Sequence, residues 1–220
     1  MTPRPTARPP TAANGLSPSL PKATQRATMS DFSLFLGKFL RHGTAIASLA
    51  PSSPWLSRAT VRNVDWAKVS NLVELGAGTG PITKVIAERA RPDCRVIVLE
   101  RDPDFARLLR DRFQDRPNFD VIEGDARDLA AMLADRGIPQ VDHVISGLPV
   151  PSFPKDLQRD LFRVVGRILA PGGTYNQITE MPLVYWNFYR KFFDDVRFVF
   201  EPRNFPPAGA YFCRGVKEIA

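Results

Sequence analysis

From Asn71 onward the chain alternates two hydrophobic patterns. Short runs dense in Val, Ile, Leu and Phe fall at residues 71–75, 95–100, 119–123, 141–145, 173–179, 196–201 and 209–215, which predicts seven strands. Between the earlier runs the apolar positions recur every three or four residues, as with Ile82, Val85 and Ile86 after Pro81, so helices connect the strands. This alternation predicts an α/β fold with a mostly parallel sheet and helices on both faces. No helix-sized segment separates residues 196–200 from 210–213, so the sheet is expected to close with an antiparallel last strand.

The pattern ahead of Asn71 is different. Residues 1–29 are rich in Pro, Thr and Ala, bury no apolar stretch, and predict a disordered basic tail. Residues 30–50 predict a helix capped by Ser30 or Asp31. Steps of 100° put Phe32, Phe35, Leu36, Phe39, Leu40, Ile46 and Ala47 on one side and Lys38, Arg41, Thr44 and Ser48 on the other, with Leu34 off the pattern. The first 42 residues hold Arg4, Arg8, Lys22, Arg26, Lys38 and Arg41 against one acid, Asp31, in a chain of formal net charge +7. Phenylalanines opposed to a basic face suit the headgroup region of an anionic bilayer, with Phe32, Phe35, Phe39, Lys38 and Arg41 as the contacts. Packing on the chain's own domain and a basic arm on nucleic acid are the two other readings. Residues 51–220 form the α/β domain, and a chain that is 44% hydrophobic can bury one sizeable core there.

Cys94 and Cys213 are isolated and His42 and His143 lie far apart, so free thiols in a reducing compartment and no metal site are expected. Residues 1–28 lack the apolar core of a cleavable signal. Nowhere does the chain offer the roughly eighteen uncharged apolar residues of a span, so a protein that does not cross the membrane is expected.

The candidate chemistry starts at Val73-Glu74-Leu75-Gly76-Ala77-Gly78-Thr79-Gly80, where the first strand turns into the first helix. Alternate glycines let a ligand approach bare main chain. Glu100 ends the second strand about twenty residues later, where a ribose diol is held in such folds. A dinucleotide loop reads G-x-G-x-x-G; here the third glycine comes one residue early, and the Glu74 carboxylate would repel a pyrophosphate while suiting a cation. The third strand ends in Gly124-Asp125-Ala126. Taken singly, the glycines are also an ordinary tight turn and Asp125 an ordinary helix N-cap for 126–135. In this order they predict a nucleoside site.

The E-x-G-x-G-x-G loop with its following acidic strand ends resembles the class I, Rossmann-like methyltransferases. That resemblance implies a seven-stranded sheet and S-adenosylmethionine as cofactor, held by Glu74, Gly76, Gly78, Thr79, Gly80, Glu100, Arg101, Asp125, Ala126 and Ser146. Glu74 would face the methionine end, Asp125 would accept from the adenine amine, and the Ala126 N–H would face the ring.

The acceptor is expected beyond the fourth strand, at Ser146-Gly147-Leu148-Pro149-Val150-Pro151. Adenine-N6 methyltransferases, the rRNA dimethylases among them, carry Asn-Leu-Pro-Tyr here. This chain has Gly147 for the Asn and Val150 for the aromatic, so it lacks a stacking contact worth about 1–3 kcal/mol. Ser-Gly-Leu-Pro instead resembles bacterial phospholipid N-methyltransferases, which convert phosphatidylethanolamine stepwise to phosphatidylcholine. The resemblance runs from about Asp31 to Arg214 and takes in Ser52-Ser53-Pro54, Pro171-Gly172-Gly173 with Tyr175 and Gln177, and Asn204-Phe205-Pro206-Pro207-Ala208. Glu180 departs from it, standing where an aromatic residue is expected.

What this resemblance implies is a phospholipid amine as acceptor and a monomer bound peripherally to an anionic membrane, at the cytoplasmic face of a bacterial cell, with no nucleic acid partner. Its candidate catalytic residues are Ser146, Tyr175 and Tyr185; its candidate substrate-binding residues are Gly147, Leu148, Pro149, Gln177, Tyr189 and Arg203. Methyl transfer is an in-line displacement needing a neutral amine, so an acceptor for one proton is required near Ser146 or a tyrosine. Tyr175, Tyr185, Trp186 and Tyr189 offer ring faces for a methylated ammonium, although Tyr185 and Tyr189, four apart on an apparent helix, also read as core. Arg203, Arg190 and Lys191 are candidate phosphodiester partners or plain surface charge. Two alternatives stand: an rRNA or other nucleic-acid adenine methyltransferase, and an inactive cofactor-fold protein on anionic membranes. The number of methyl groups added is not legible.

Overall fold

The computed structural model describes residues 53–219 together with Met1, so the tail over 1–29 and the amphipathic helix over 30–50, with His42, lie outside the described residues. The first element is α1 (Pro54–Thr60): the Ser53 hydroxyl accepts from the Leu56 N–H, and Pro54 takes a first-turn position that needs no donor. The core sheet follows as β1 (Asn71–Leu75), β2 (Arg95–Glu100), β3 (Phe119–Glu123), β4 (Val141–Ser146), β5 (Leu169–Thr179), β6 (Phe193–Glu201) and β7 (Ala208–Val216). The connecting helices are α2 (Pro81–Arg89), α3 (Pro103–Phe113), α4 (Leu129–Ala134), α5 (Lys155–Ile168) and the short α6 (Trp186–Tyr189). The helix expected over 126–135 is divided: Ala126–Asp128 is a 3₁₀ turn and α4 begins at Leu129.

The seven strands lie in the order β3-β2-β1-β4-β5-β7-β6, parallel from β3 to β5, with β7 antiparallel to both of its neighbours. β5 starts earlier than residue 173, because Leu169 pairs with Val141 before an irregularity moves the register to His143–Thr174. Leu72, Val96, Val98 and Ile145 point to the face covered by α2 and α3, where they meet Ile82, Val85, Ile86, Leu109 and Phe113. Each such side chain contributes about 1.5–3 kcal/mol on burial. On the opposite face Phe162 of α5 packs edge-on against Tyr175 of β5 at 5.5 Å.

Sheet order reverses between β1 and β4. The parallel strands all end on one edge, so the loops after β1 and β4 leave the sheet there, the usual position of the ligand crevice in an open α/β sheet. The β6–β7 loop is on the same edge, since Glu201 pairs with Ala208 and Thr179 of β5 with Gly209.

Candidate functional site

The glycine loop is strapped to its neighbours by main chain. The Gly76 N–H donates to the Leu99 carbonyl at 2.8 Å, and the Gly147 N–H donates to the Leu75 carbonyl at 2.8 Å. Gly78 has φ 56°, and a β-carbon there would meet nothing within 4 Å. Its side of the loop is therefore open. Thr79 is exposed, and Gly80 is the left-handed cap residue at which α2 starts.

The strand-end carboxylates are held by donors. Glu100 is nearly buried; its Oε2 accepts from the Gly78 N–H at 2.7 Å and its Oε1 from the Arg101 and Asp102 N–H groups at 2.8 and 2.9 Å. Asp125 accepts from the Arg127 N–H and Nε through Oδ1 and from Arg127 Nη2 through Oδ2, while Arg101 Nη1 lies 3.6 Å from Oδ2. Burial pushes the Asp125 carboxyl up, but the Arg127 hydrogen bonds and charge outweigh it and hold the group below its usual range. Arg127 is a contributor that the sequence pattern did not single out; a cation two residues after the Gly-Asp pair was the available signal.

Glu74 is 1% exposed, and its Oε2 has no hydrogen-bond partner among the described residues. Burial pushes its carboxyl up to about 8; Thr83 in the first turn of α2 works against that rise and the Glu100 charge adds to it.

Across the crevice, the structure brings Ser146, Tyr175 and Gln177 together. Ser146 pairs in register with Gln177, whose Nε2 donates to the carbonyls of Ser146, Leu148 and Ile178 at 3.1, 2.8 and 3.0 Å. The Tyr175 hydroxyl donates to Gln177 Oε1 at 2.5 Å, and the Ser146 hydroxyl accepts from the Leu148 N–H at 3.3 Å. This network clamps the Ser146–Pro149 loop onto the glycine loop: a β-carbon on Gly147 would sit 2.6 Å from the Gly76 carbonyl oxygen, and one on Gly76 would strike the Leu148 side chain. Burial drives the Tyr175 phenol well above its usual range, against a hydrogen bond from Ser146, so at neutral pH it donates.

Several placements differ from the sequence expectation. Tyr175 and Tyr189 were expected to offer ring faces to an ammonium, yet both are fully buried: strand alternation turns Tyr175 toward α5, and Tyr189 packs against Phe162, Phe188 and Tyr211. The Tyr189 hydroxyl has no partner among the described residues. Tyr185 is at the edge, its N–H donating to the Tyr211 hydroxyl at 3.1 Å, with Trp186 against the same ring. Arg203, expected to meet a phosphodiester, is forked onto Glu201 with Nε–Oε1 and Nη2–Oε2 both 2.7 Å. That pair is satisfied without a ligand. Arg190 and Lys191 follow α6, away from the strand ends that carry the loop residues. Glu180, which the sequence marks only as a departure, is half-buried just past Thr179, and burial pushes its carboxyl up.

A second polar cluster lies on β5, outside the motifs of the sequence. Thr174 and Asn176 of β5 meet Asn63 and His143: Asn176 Nδ2 donates to the Thr60 carbonyl at 2.9 Å, and His143 Nδ1 lies 2.6 Å from the Thr174 hydroxyl. Alternate polar residues on a buried strand were the signal.

The groups present fit S-adenosylmethionine. An unpartnered buried carboxylate oxygen on Glu74 suits a cation, Gly78 leaves the loop open, and carboxylates close β2 and β3 in the positions of a nucleoside's acceptors. Residues 72–173 match the family of the methyltransferase domain. An ornithine lipid N-methyltransferase of Singulisphaera acidiphila is 77% identical over 190 residues, covering 86% of this chain and 99% of that protein. The chain belongs to the class I S-adenosylmethionine-dependent methyltransferases. Like the other enzymes of this family, it takes S-adenosylmethionine as cofactor. Among solved structures, an O-methyltransferase of tomaymycin synthesis from Streptomyces achromogenes, in complex with S-adenosylmethionine, shares the fold with a TM-score of 0.57 at 14% identity, over 83% of this chain and 89% of that one. A probable ribosomal RNA small subunit methyltransferase A of Methanosarcina acetivorans is 38% identical over 78 residues, but these are 36% of this chain and 25% of that protein.

Proposed function

We propose that this methyltransferase adds methyl groups to the terminal amine of an ornithine-type aminolipid, at the cytoplasmic face of a bacterial membrane. The observation that carries the reading is the 77% identity to an ornithine lipid N-methyltransferase along essentially all of that protein. Phosphatidylethanolamine is the second reading, supported by the Ser146-Gly147-Leu148-Pro149 element and its resemblance to phospholipid N-methyltransferases. Glu180 suits an unmethylated amine headgroup of either kind: an aromatic residue there would hold a methylated ammonium by its ring face, whereas a half-buried carboxylate attracts a primary alkylammonium by charge and can accept its proton.

When bound, the cofactor supplies an electrophilic methyl group on a sulfonium. The protein's part is positioning. The Gln177 amide fixes the Ser146–Pro149 loop, Tyr175 fixes Gln177, and the Glu180 carboxylate accepts one proton from the incoming ammonium so that a neutral nitrogen can attack. Gly147 and Val150 supply neither the side-chain amide nor the aromatic ring that would clamp a purine. Residues 30–50, with Phe32, Phe35, Phe39, Lys38 and Arg41, would bring the enzyme to the lipid surface. The test is methyl transfer from labelled S-adenosylmethionine into vesicles holding either ornithine lipid or phosphatidylethanolamine, read by mass spectrometry. Methylation of the ornithine lipid at several times the rate of the other is expected; no transfer to either lipid would overturn the reading.

A further inference from the structure

We infer that the two loops flanking the acceptor site, residues 180–185 and 202–207, form a rim that inserts into the interfacial layer of a lipid bilayer and seats the crevice on the membrane. Leaving Met1 aside, the large apolar side chains exposed among the described residues are Trp55, Leu108, Met181, Leu183, Val184, Phe200 and Phe205. All but Leu108 belong to the edge at which the parallel strands end, or to the first turn of α1 beside it. Leu183, Val184 and Phe205 are 62%, 60% and 93% exposed, which a folded protein in water does not gain from.

The backbone holds them there. Leu183 has φ 65°, the left-handed region that a leucine rarely adopts, and the next turn is fixed by the Tyr185 N–H donating to the Tyr211 hydroxyl. Phe205 is presented by Asn204, which is buried; its Oδ1 accepts from the Ser53 N–H at 3.3 Å and its Nδ2 donates to the Pro206 carbonyl at 2.7 Å. The Ser-Ser-Pro and Asn-Phe-Pro-Pro-Ala elements thus meet, although 151 residues separate Ser53 from Asn204.

The indole beside this edge selects the occupant. Trp55 lies beside the Asn204 loop with the guanidinium carbons of Arg203 and Arg58 at 4.2 and 5.9 Å from its ring. An indole with guanidinium groups against it, beside the loop that carries Phe205, is a composition that suits headgroup level, with the apolar tips reaching the acyl chains. A protein partner or a second copy would need a broad, packed apolar patch; four tips on two narrow loops suit a deformable lipid layer. The inference rests on the reading of the acceptor as a bilayer lipid. A lipid amine can reach the crevice with its chains still in the membrane only if this edge faces it.

The test uses the full chain and vesicles of phosphatidylglycerol and phosphatidylcholine. Leu183→Glu combined with Val184→Glu, and separately Phe205→Glu, should weaken co-sedimentation at least tenfold; Leu108→Glu, on α3, should leave it unchanged. Phe205→Ser, a milder change, should fall in between, and thermal melting confirms that each variant is folded. Turnover of a short-chain aminolipid dispersed below its micelle concentration should stay within twofold of wild type in all of them. Unaltered partition of the folded variants would overturn the proposal, as would a change in oligomeric state on size-exclusion chromatography, which would assign the tips to self-association. If wild type binds vesicles through these tips yet methylates no aminolipid, the rim stands and the substrate reading fails.

Discussion

The Gly78 N–H donates to Oε2 of Glu100 at 2.7 Å, which makes the open side of the glycine loop and the carboxylate at the end of β2 one mechanical unit. Glu100→Ala therefore removes a ligand group and frees the loop together. Hydrogen bonds to a charged group contribute about 1.5–3 kcal/mol, so S-adenosylmethionine affinity by calorimetry should fall at least tenfold. Glu100→Gln, which keeps one acceptor oxygen, should retain more affinity than the alanine variant.

Two glycine substitutions separate packing from ligand access. Gly147→Ala drives a methyl against the Gly76 carbonyl oxygen, a backbone clash, and should lower stability by about 1–3 kcal/mol in thermal or urea melts. Gly78→Ala meets no atom and bears only the cost of its φ of 56°, about 1–2 kcal/mol, yet places a methyl on the open side of the loop. Its larger effect should be on cofactor affinity.

Glu74 predicts a pH dependence of the cofactor-free protein. Its carboxyl is raised from 4.5 to about 8 in the fold, so between those values the native chain binds more protons than the unfolded one. The stability this contributes is complete below pH 4.5 and is lost as pH rises through about 8, by an amount on the order of a few kcal/mol. Glu74→Gln should flatten that slope in urea melts taken across the range. A cation bound beside Glu74 should favour its ionised form, so cofactor binding at neutral pH should release a proton, measurable as a buffer-dependent heat that the glutamine variant lacks.

Tyr175→Phe tests positioning against proton transfer. The change leaves Gln177 Oε1 buried without its donor and should cost about 1–3 kcal/mol of stability. Because the Nε2 bonds to Ser146 and Leu148 persist, turnover should drop by less than tenfold. A fall of about a hundredfold or more would assign the proton to the tyrosine.

The sheet was legible because strands buried on both faces leave unbroken apolar runs, and these ended where the loops begin: Leu75, Glu100 and Glu123 close their strands at the expected residues. The start of β5 was hidden because Pro171, Gly172 and Gly173 look like a turn, while the pairing of Leu169 with Val141 is a tertiary fact. Tyr185 and Tyr189 share a helical spacing that gives no sign of which one is covered; Phe162, from a distant segment, decides it. Arg203 read as a free cation because its partner, Glu201, ends a strand two residues earlier, and only the turn brings the fork and the carboxylate face to face. Ser53 and Asn204 were each noted as motif residues, but nothing local announces that they touch.

Methylation of a lipid amine is distinguished from methylation of RNA by incubating the purified protein with labelled S-adenosylmethionine, aminolipid vesicles and small-subunit ribosomal RNA in one reaction. Label is expected in the lipid fraction, on the terminal nitrogen of the ornithine headgroup, with none in the RNA. Label in the RNA with an unmodified lipid fraction would overturn the lipid-amine reading.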